Sequence, residues 1–171
     1  MKVKLWMIVV LFIIACAAGF FIWKTYFSEN DQEIIGRRMQ EVTQMLGKSG
    51  TESYIVQLEH ARTISKYFDD ICDIRLPKFH KEAKMSREQI EKNIITARNW
   101  TNSLELKIYD LRYEFQESDP KRCKVSFTGM LDVKTKVSGS FQEGYDLEMN
   151  WVKKDREWLI EGIGFSEILN K

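Results

Sequence analysis

Few side chains in this chain are placed to do acid–base or metal chemistry. Its 171 residues include two histidines, His60 and His80. Imidazole titrates near neutral pH, so a histidine paired with a carboxylate is the first general base to look for. His60 stands beside Leu58 and Ala61, on or next to an apolar helix face, where it either borders a pocket or lies at the helix surface. His80 has Lys78, Lys81 and Lys84 for neighbours, which is a solvated setting. Asp132 is the one acid in the middle of a long alternating run. On the polar side of that run it reads as a solvated or cross-strand paired group, not a proton-abstracting base. Asp69, Asp70 and Asp73 form an acidic cluster, but no histidine or further acid shares their spacing, so a metal site is not expected. The sequence has no glycine-rich phosphate loop, nucleophile elbow or zinc motif. These residues imply no catalytic constellation, no metal and no cofactor.

Apolar residues offer a different chemistry, the sequestration of a small hydrophobic ligand. Phe127, Trp151 and Trp158 either line such a cavity or form plain core, and His60, Phe68 and Leu131 are the residues that would complete the lining. Cys72 and Cys123 either pair or stay free. Cys123 falls on the apolar side of its strand, where a thiol packs as a small hydrophobe, and neither cysteine has a metal-like spacing.

The elements that must position these groups follow from periodicity. From Cys123 to Val137 the odd positions are Cys, Val, Phe, Gly, Leu, Val, Thr and Val, and the even positions are mostly polar. That alternation specifies a long strand with one buried and one wet face, bent near Gly129. Leu104, Leu106 and Ile108 alternate on even numbers, whereas Leu111, Tyr113 and Phe115 alternate on odd ones. A bulge between Ile108 and Leu111 restores one face. Tyr145, Leu147, Met149 and Trp151 form a further strand. After a charged tip, Trp158 and Ile160 shift phase relative to Ile163 and Phe165, with Gly162 at the slip.

Ahead of this sheet, Ile35, Met39, Val42 and Leu46 share a helix face. A second helix opens on Ser49 and Glu52 and presents Tyr54, Leu58, Ala61, Ser65 and Phe68, with Ile55, Ile64, Tyr67 and Ile71 alongside. Asp73–Met85 reads as a solvated loop. A third helix opens on the Ser86 and Gln89 capping pair, with Ile90, Ile94 and Ala97 inward. The expected fold class is α+β, three helices packed on a curved antiparallel sheet.

Leu5–Trp23 is a 19-residue stretch without a charge, about the length of a helix crossing the roughly 30 Å bilayer core. Lys2 and Lys4 outweigh Lys24, which places the N-terminus inside and the following domain outside the cytoplasmic membrane of a bacterium. An uncleaved anchor is the favoured reading. The small residues Ala15, Ala17 and Ala18 fit a cleaved secretory peptide, and Ile13-Ile14-Ala15-Cys16 fits a lipidation signal that would make Cys16 the acylated N-terminus. The organisation is then anchor 1–27, linker 28–31 and extracytoplasmic domain 32–171. Residues 28 onward hold 23 basic and 25 acidic side chains, which excludes a nucleic-acid binder built on net charge.

Three helices followed by long bent strands, closing on the Trp151–Trp158 hairpin and Trp158-Leu159-Ile160, resemble the nuclear-transport-factor-2-like, or cystatin-like, superfamily over residues 32–168. This chain carries Lys154, Asp155, Arg156 and Glu157 where many members have an Asp-Gly turn. The resemblance implies a cone-shaped domain whose opening is a ligand pocket in some members and filled in others, with enzymatic members placing a carboxylate or histidine there. One N-terminal membrane helix before such a cone is similar in layout to inner-membrane assembly factors of type IV secretion machines. That layout implies a noncatalytic domain that binds other envelope proteins or itself. A binder or enzyme acting on a small hydrophobic ligand is the alternative.

Overall fold

The computed structural model describes residues 30–76, 81–137 and 139–166. The chain divides into two compact units, one up to Ile34 and one from Ile35 onward. Of the first, the described part is the opening turn of a helix, where the Asn30 carbonyl accepts from the amides of Glu33 and Ile34 at 2.9 and 3.1 Å. Leu5–Trp23 and Cys16, and with them the expected anchor and lipidation site, lie outside the described residues. Among the described residues no helix is long and apolar enough to cross a membrane.

The second unit is α+β: three helices on one seven-stranded sheet. The elements are α1 (Asp31–Leu46), β1 (Lys48–Ser49), α2 (Tyr54–Ser65), β2 (Phe68–Leu76), β3 (Lys81–Ser86), α3 (Arg87–Trp100), β4 (Thr101–Gln116), β5 (Asp119–Thr135), β6 (Ser140–Lys154) and β7 (Glu157–Phe165). The strand order is β1-β4-β5-β6-β7-β2-β3. The long strands β4 to β7 pair antiparallel in sequence order, as the alternation dictates, and their odd β5 residues Cys123, Val125, Phe127 and Val133 are buried. Both phase slips are register shifts in the sheet. One lies between Tyr109 and Arg112, where Asp110 adopts φ 55°, and the other is at Asn150/Trp151, opposite Ile160–Gly162. Each adds a residue to one strand, which bends the sheet and returns the apolar set to one side.

Helix caps decide the connections. Ser86 and Gln89 form the expected reciprocal box, with bonds of 3.3 and 2.9 Å. The second helix starts later than expected: Ser53, not Ser49, is its cap, accepting from the Val56 amide at 3.4 Å. Its first turn is consequently outside the core, with Tyr54 63% and Ile55 75% exposed.

The segment read as a solvated loop, Asp73–Met85, is largely strand. β2 and β3 form a hairpin that docks on β7 through a parallel β2–β7 pairing, so the sheet is mixed and not purely antiparallel. Charges misled the reading because β3 is the sheet edge, where Lys and Glu side chains reach water while the backbone pairs on one side. The same pairing ends α2 at Ser65 and leaves Ile71, expected inward, 53% exposed.

Rows of partnered residues build the buried side of the sheet. Phe115, Cys123, Trp151, Ile160 and Phe68 form one row, and Tyr113, Val125, Met149, Ile163 and Ile74 form the next. α1 crosses this side so closely that a Cβ on Gly36 would stand 2.9 Å from Tyr113 Oη.

Candidate functional site

At one end of the domain two helices terminate side by side, and each is closed by a cation from the other's neighbourhood. The last carbonyls of a helix have no intrahelical partner and carry partial negative charge. Arg98, near the end of α3, is 1% exposed and donates to the carbonyls of Met45, Leu46 and Gly47 at the end of α1, at 2.8, 3.1 and 3.3 Å. Lys48, just past α1, donates in return to the carbonyls of Arg98 and Thr101 at the end of α3, at 2.5 and 2.6 Å. The Arg98 guanidinium is also held by Glu52, at 2.7 and 2.8 Å, and contacts His60 Nδ1 at 3.1 Å. A guanidinium only donates, so Nδ1 is the acceptor and the imidazole proton sits on Nε2. Burial, followed by the nearby Lys136 charge, holds the Lys48 ammonium below its ordinary pKa.

This cap cluster forms one end of a solvent-open pocket of about 830 Å³ between α3 and the buried side of the sheet. Its walls include Leu76, Ile90, Ile94, Leu104, Val133, Phe141 and Ile163. The volume lies within the roughly 300–1,000 Å³ of small-molecule sites. Among the described residues lining it, Arg98 alone is charged, and its donors are engaged as above. The lining hydroxyls are also engaged: Thr96 donates to Lys92 O at 2.8 Å, Thr101 to Ala97 O at 3.1 Å and Thr135 to Gly139 O at 3.1 Å. The cavity therefore offers burial to an apolar guest and no carboxylate or imidazole to move a proton.

The sequence-selected residues are not brought together here. Phe68 lines the cavity. His60 is half-buried in the cap cluster behind it, on the Arg98 side, and not in the lining. Phe127 is 3% exposed and borders a separate small hollow with Asp110, Arg112 and Asp146. Leu131, half-buried, pairs with Leu106, and Trp151 and Trp158 are completely buried core. Trp158 stacks edge-on against Phe115. Asp132 is exposed opposite Glu105 and Gln142, and the acids of β2 are ion-paired, Asp69 with Lys154 at 2.7 Å and Asp73 with Arg75 at 2.5 Å. Both described cysteines are buried and are not joined in a disulfide, and burial pushes the Cys72 thiol up to about 12, which makes it inert.

Sequence reasoning missed Arg98, Lys48 and Glu52. Ile90, Ile94 and Ala97, expected inward, face the sheet and line the pocket, with Ile90 buried.

No protein-family model matches this sequence, and no curated protein matches it. Solved structures do match in fold. A scytalone-dehydratase-like protein from Novosphingobium aromaticivorans superposes with a TM-score of 0.60 at 12% identity, over 78% of this chain and 81% of that one. An aromatic-ring-hydroxylase-like protein from the same organism gives 0.64 at 7% identity, over 81% and 90%. A Caulobacter vibrioides protein of cystatin-like fold gives 0.58 at 9% identity, over 78% and 86%. The chain thus shares the cystatin-like, nuclear-transport-factor-2-like fold.

Proposed function

We propose that this protein is a membrane-tethered, noncatalytic binder of a small hydrophobic ligand. The observation that carries the reading is the apolar pocket between α3 and the sheet, whose three lining threonine hydroxyls are committed to carbonyls within the protein. A guest there gains by losing water from its own apolar surface and from the Ile, Leu, Val and Phe walls, at about 25 cal/mol per Å². The tether is Leu5–Trp23, with the domain outside a bacterial cytoplasmic membrane.

The test uses residues 28–171, purified without detergent, and an environment-sensitive naphthalene dye. Dye emission should rise on binding, and Ile94→Trp, which fills the cavity from α3, should reduce the affinity at least about tenfold, as losing roughly 1.4 kcal/mol of burial would. Equal binding by Ile94→Trp at unchanged stability would remove the cavity from the account.

One observation favours a second reading, an interaction domain of a secretion- or transport-related envelope complex. Tyr54 and Ile55 project from the first turn of α2, where monomeric domains rarely leave adjacent large apolar residues. Detergent co-purification of a larger complex that disappears on Tyr54→Ser with Ile55→Ser would support it.

A further inference from the structure

The two edges of the sheet are built differently. β3, at one edge, is short and carries Glu82 and Lys84, charged side chains of the kind that keep an edge from pairing. At the other edge β1 covers β4 at Ser103 and Leu104. From Glu105 to Gln116, β4 pairs with β5 on one side, and no described strand pairs with the other. Apolar side chains accompany this open edge. Tyr109, Leu111 and Phe115 are 49%, 40% and 37% exposed. A groove of about 470 Å³ runs between Leu106, Ile108 and Leu111 of β4 and Gly36, Gln40 and Gln44 of α1. A long edge of that kind is where an extended strand adds to a sheet.

We propose that β4 pairs antiparallel with β4 of a second copy of this chain, about a twofold axis between Asp110 and Leu111. The bulge selects the partner. Asp110, at φ 55°, belongs to the extra step that twists this edge away from a strand of regular spacing, and a strand with the same extra residue at the same place matches it. The phase slip acts in the same direction. Apolar side chains stand on even numbers before it and on odd numbers after it, so a strand turned end to end sets Leu106 opposite the second copy's Phe115 and Ile108 opposite its Tyr113, all on the α1 side. On the other side Lys107 meets Glu114 and Tyr109 meets Arg112, an opposite-charge pair and an aromatic face for a guanidinium. Lys107 and Glu114 already hold Glu105 and Lys124 at 3.3 and 3.1 Å, so the new contacts join two exposed pairs into a row of alternating sign.

Neighbouring registers are worse. A shift of two residues one way sets Lys107 opposite Arg112 and Glu105 opposite Glu114, like charges face to face. A shift of two the other way sets Tyr113 opposite Asp110, an apolar side chain against a polar one. The axis is perpendicular to the joined sheet and leaves α1 of both copies on one side of it, so the two copies present the same side to whatever both are tethered to. Glu105–Gln116 contributes nothing to the pocket under α3, and the pairing stands independently of the ligand reading.

The experiment uses the 171-residue chain with Cys16→Ala, in which Cys72 and Cys123 are buried, reconstituted in phosphatidylcholine liposomes. One preparation carries Lys107→Cys, a second carries Glu114→Cys, and a third mixes the two chains before reconstitution. Directly opposed strand residues lie within the roughly 4.4–6.8 Å Cα separation of a disulfide. In either chain alone the two cysteines stand on opposite sides of the axis, roughly 23 Å apart at about 3.3 Å per residue. Copper phenanthroline should therefore join the mixed chains at least about fivefold more than either chain alone. Arg112→Glu, which gathers four carboxylates around the axis, should cut the mixed yield at least about tenfold. It should leave the thermal melt unchanged, because Arg112 is exposed.

Cross-linking of Lys107→Cys alone as strong as that of the mixture would overturn the register, and no cross-link in any preparation would overturn the pairing. A mixed yield unchanged by Arg112→Glu would mark chance collision and overturn it as well.

Discussion

Replacing Arg98 by methionine tests whether the cap cluster holds the cavity together. Methionine keeps the stem's bulk and removes every donor. Three carbonyls at the end of α1 and the Glu52 carboxylate, whose side chain is only 16% exposed, then lose their partner in a site from which water is excluded. Breaking one side of a buried ion pair typically costs about 3–5 kcal/mol, because the stranded charge keeps its desolvation penalty. A domain of this size has about 5–15 kcal/mol in total, so the loss is a third or more of its stability. With a urea slope of about 1–3 kcal/mol per molar, the midpoint should fall by roughly 1–5 M. Urea melts of residues 28–171 measure this directly. Glu52→Gln in the Arg98→Met background removes the stranded charge and should return about 1–3 kcal/mol, a coupling expected only for groups in contact. Arg98→Lys should recover little, since an ammonium cannot fork between α1 and Glu52. A loss below about 1 kcal/mol for Arg98→Met, or strict additivity with Glu52→Gln, would refute the view that this cluster ties α1 to α3.

Other outcomes follow from single contacts. Gly36→Ala should gain about 1 kcal/mol of helix propensity but lose more through the Cβ placed 2.9 Å from Tyr113 Oη, and the same substitution beside Tyr113→Phe should stabilise, as thermal melts will report. Arg156→Gly should raise stability by about 1 kcal/mol, because Asp155 and Arg156 hold φ 48° and 71° in a two-residue turn that glycine enters without a Cβ clash. Cys72 and Cys123 should resist a thiol reagent at pH 8 in the folded domain and react together in urea, since both are buried and the Cys72 thiol is pushed up to about 12.

How much of this was legible in the sequence depended on whether a pattern reports local or distant partners. The alternation from Cys123 to Val137 and the slip at Ile108–Leu111 gave long strands and a bulge, because a strand's two faces see different solvents whatever lies beyond. The Ser86–Gln89 box was equally readable, being closed within four residues. β2 and β3 were not, since the pairing of β2 with β7 joins residues about ninety apart and the charged edge strand β3 imitates a loop. Trp151 and Trp158, open in the sequence between cavity lining and core, are completely buried, and His60 was considered without the guanidinium that it accepts from.

Burial preference is written residue by residue, so the sequence alone determined an α+β domain with one apolar side, an uncharged 19-residue stretch ahead of it, and the lack of a recognisable catalytic motif. Only the tertiary structure decided that the apolar stripe of α3 faces an open pocket against the sheet. Packing density depends on how far helix and sheet are held apart, and that spacing is set here by Arg98, Lys48 and Glu52, which come from three separate segments to meet at two helix ends.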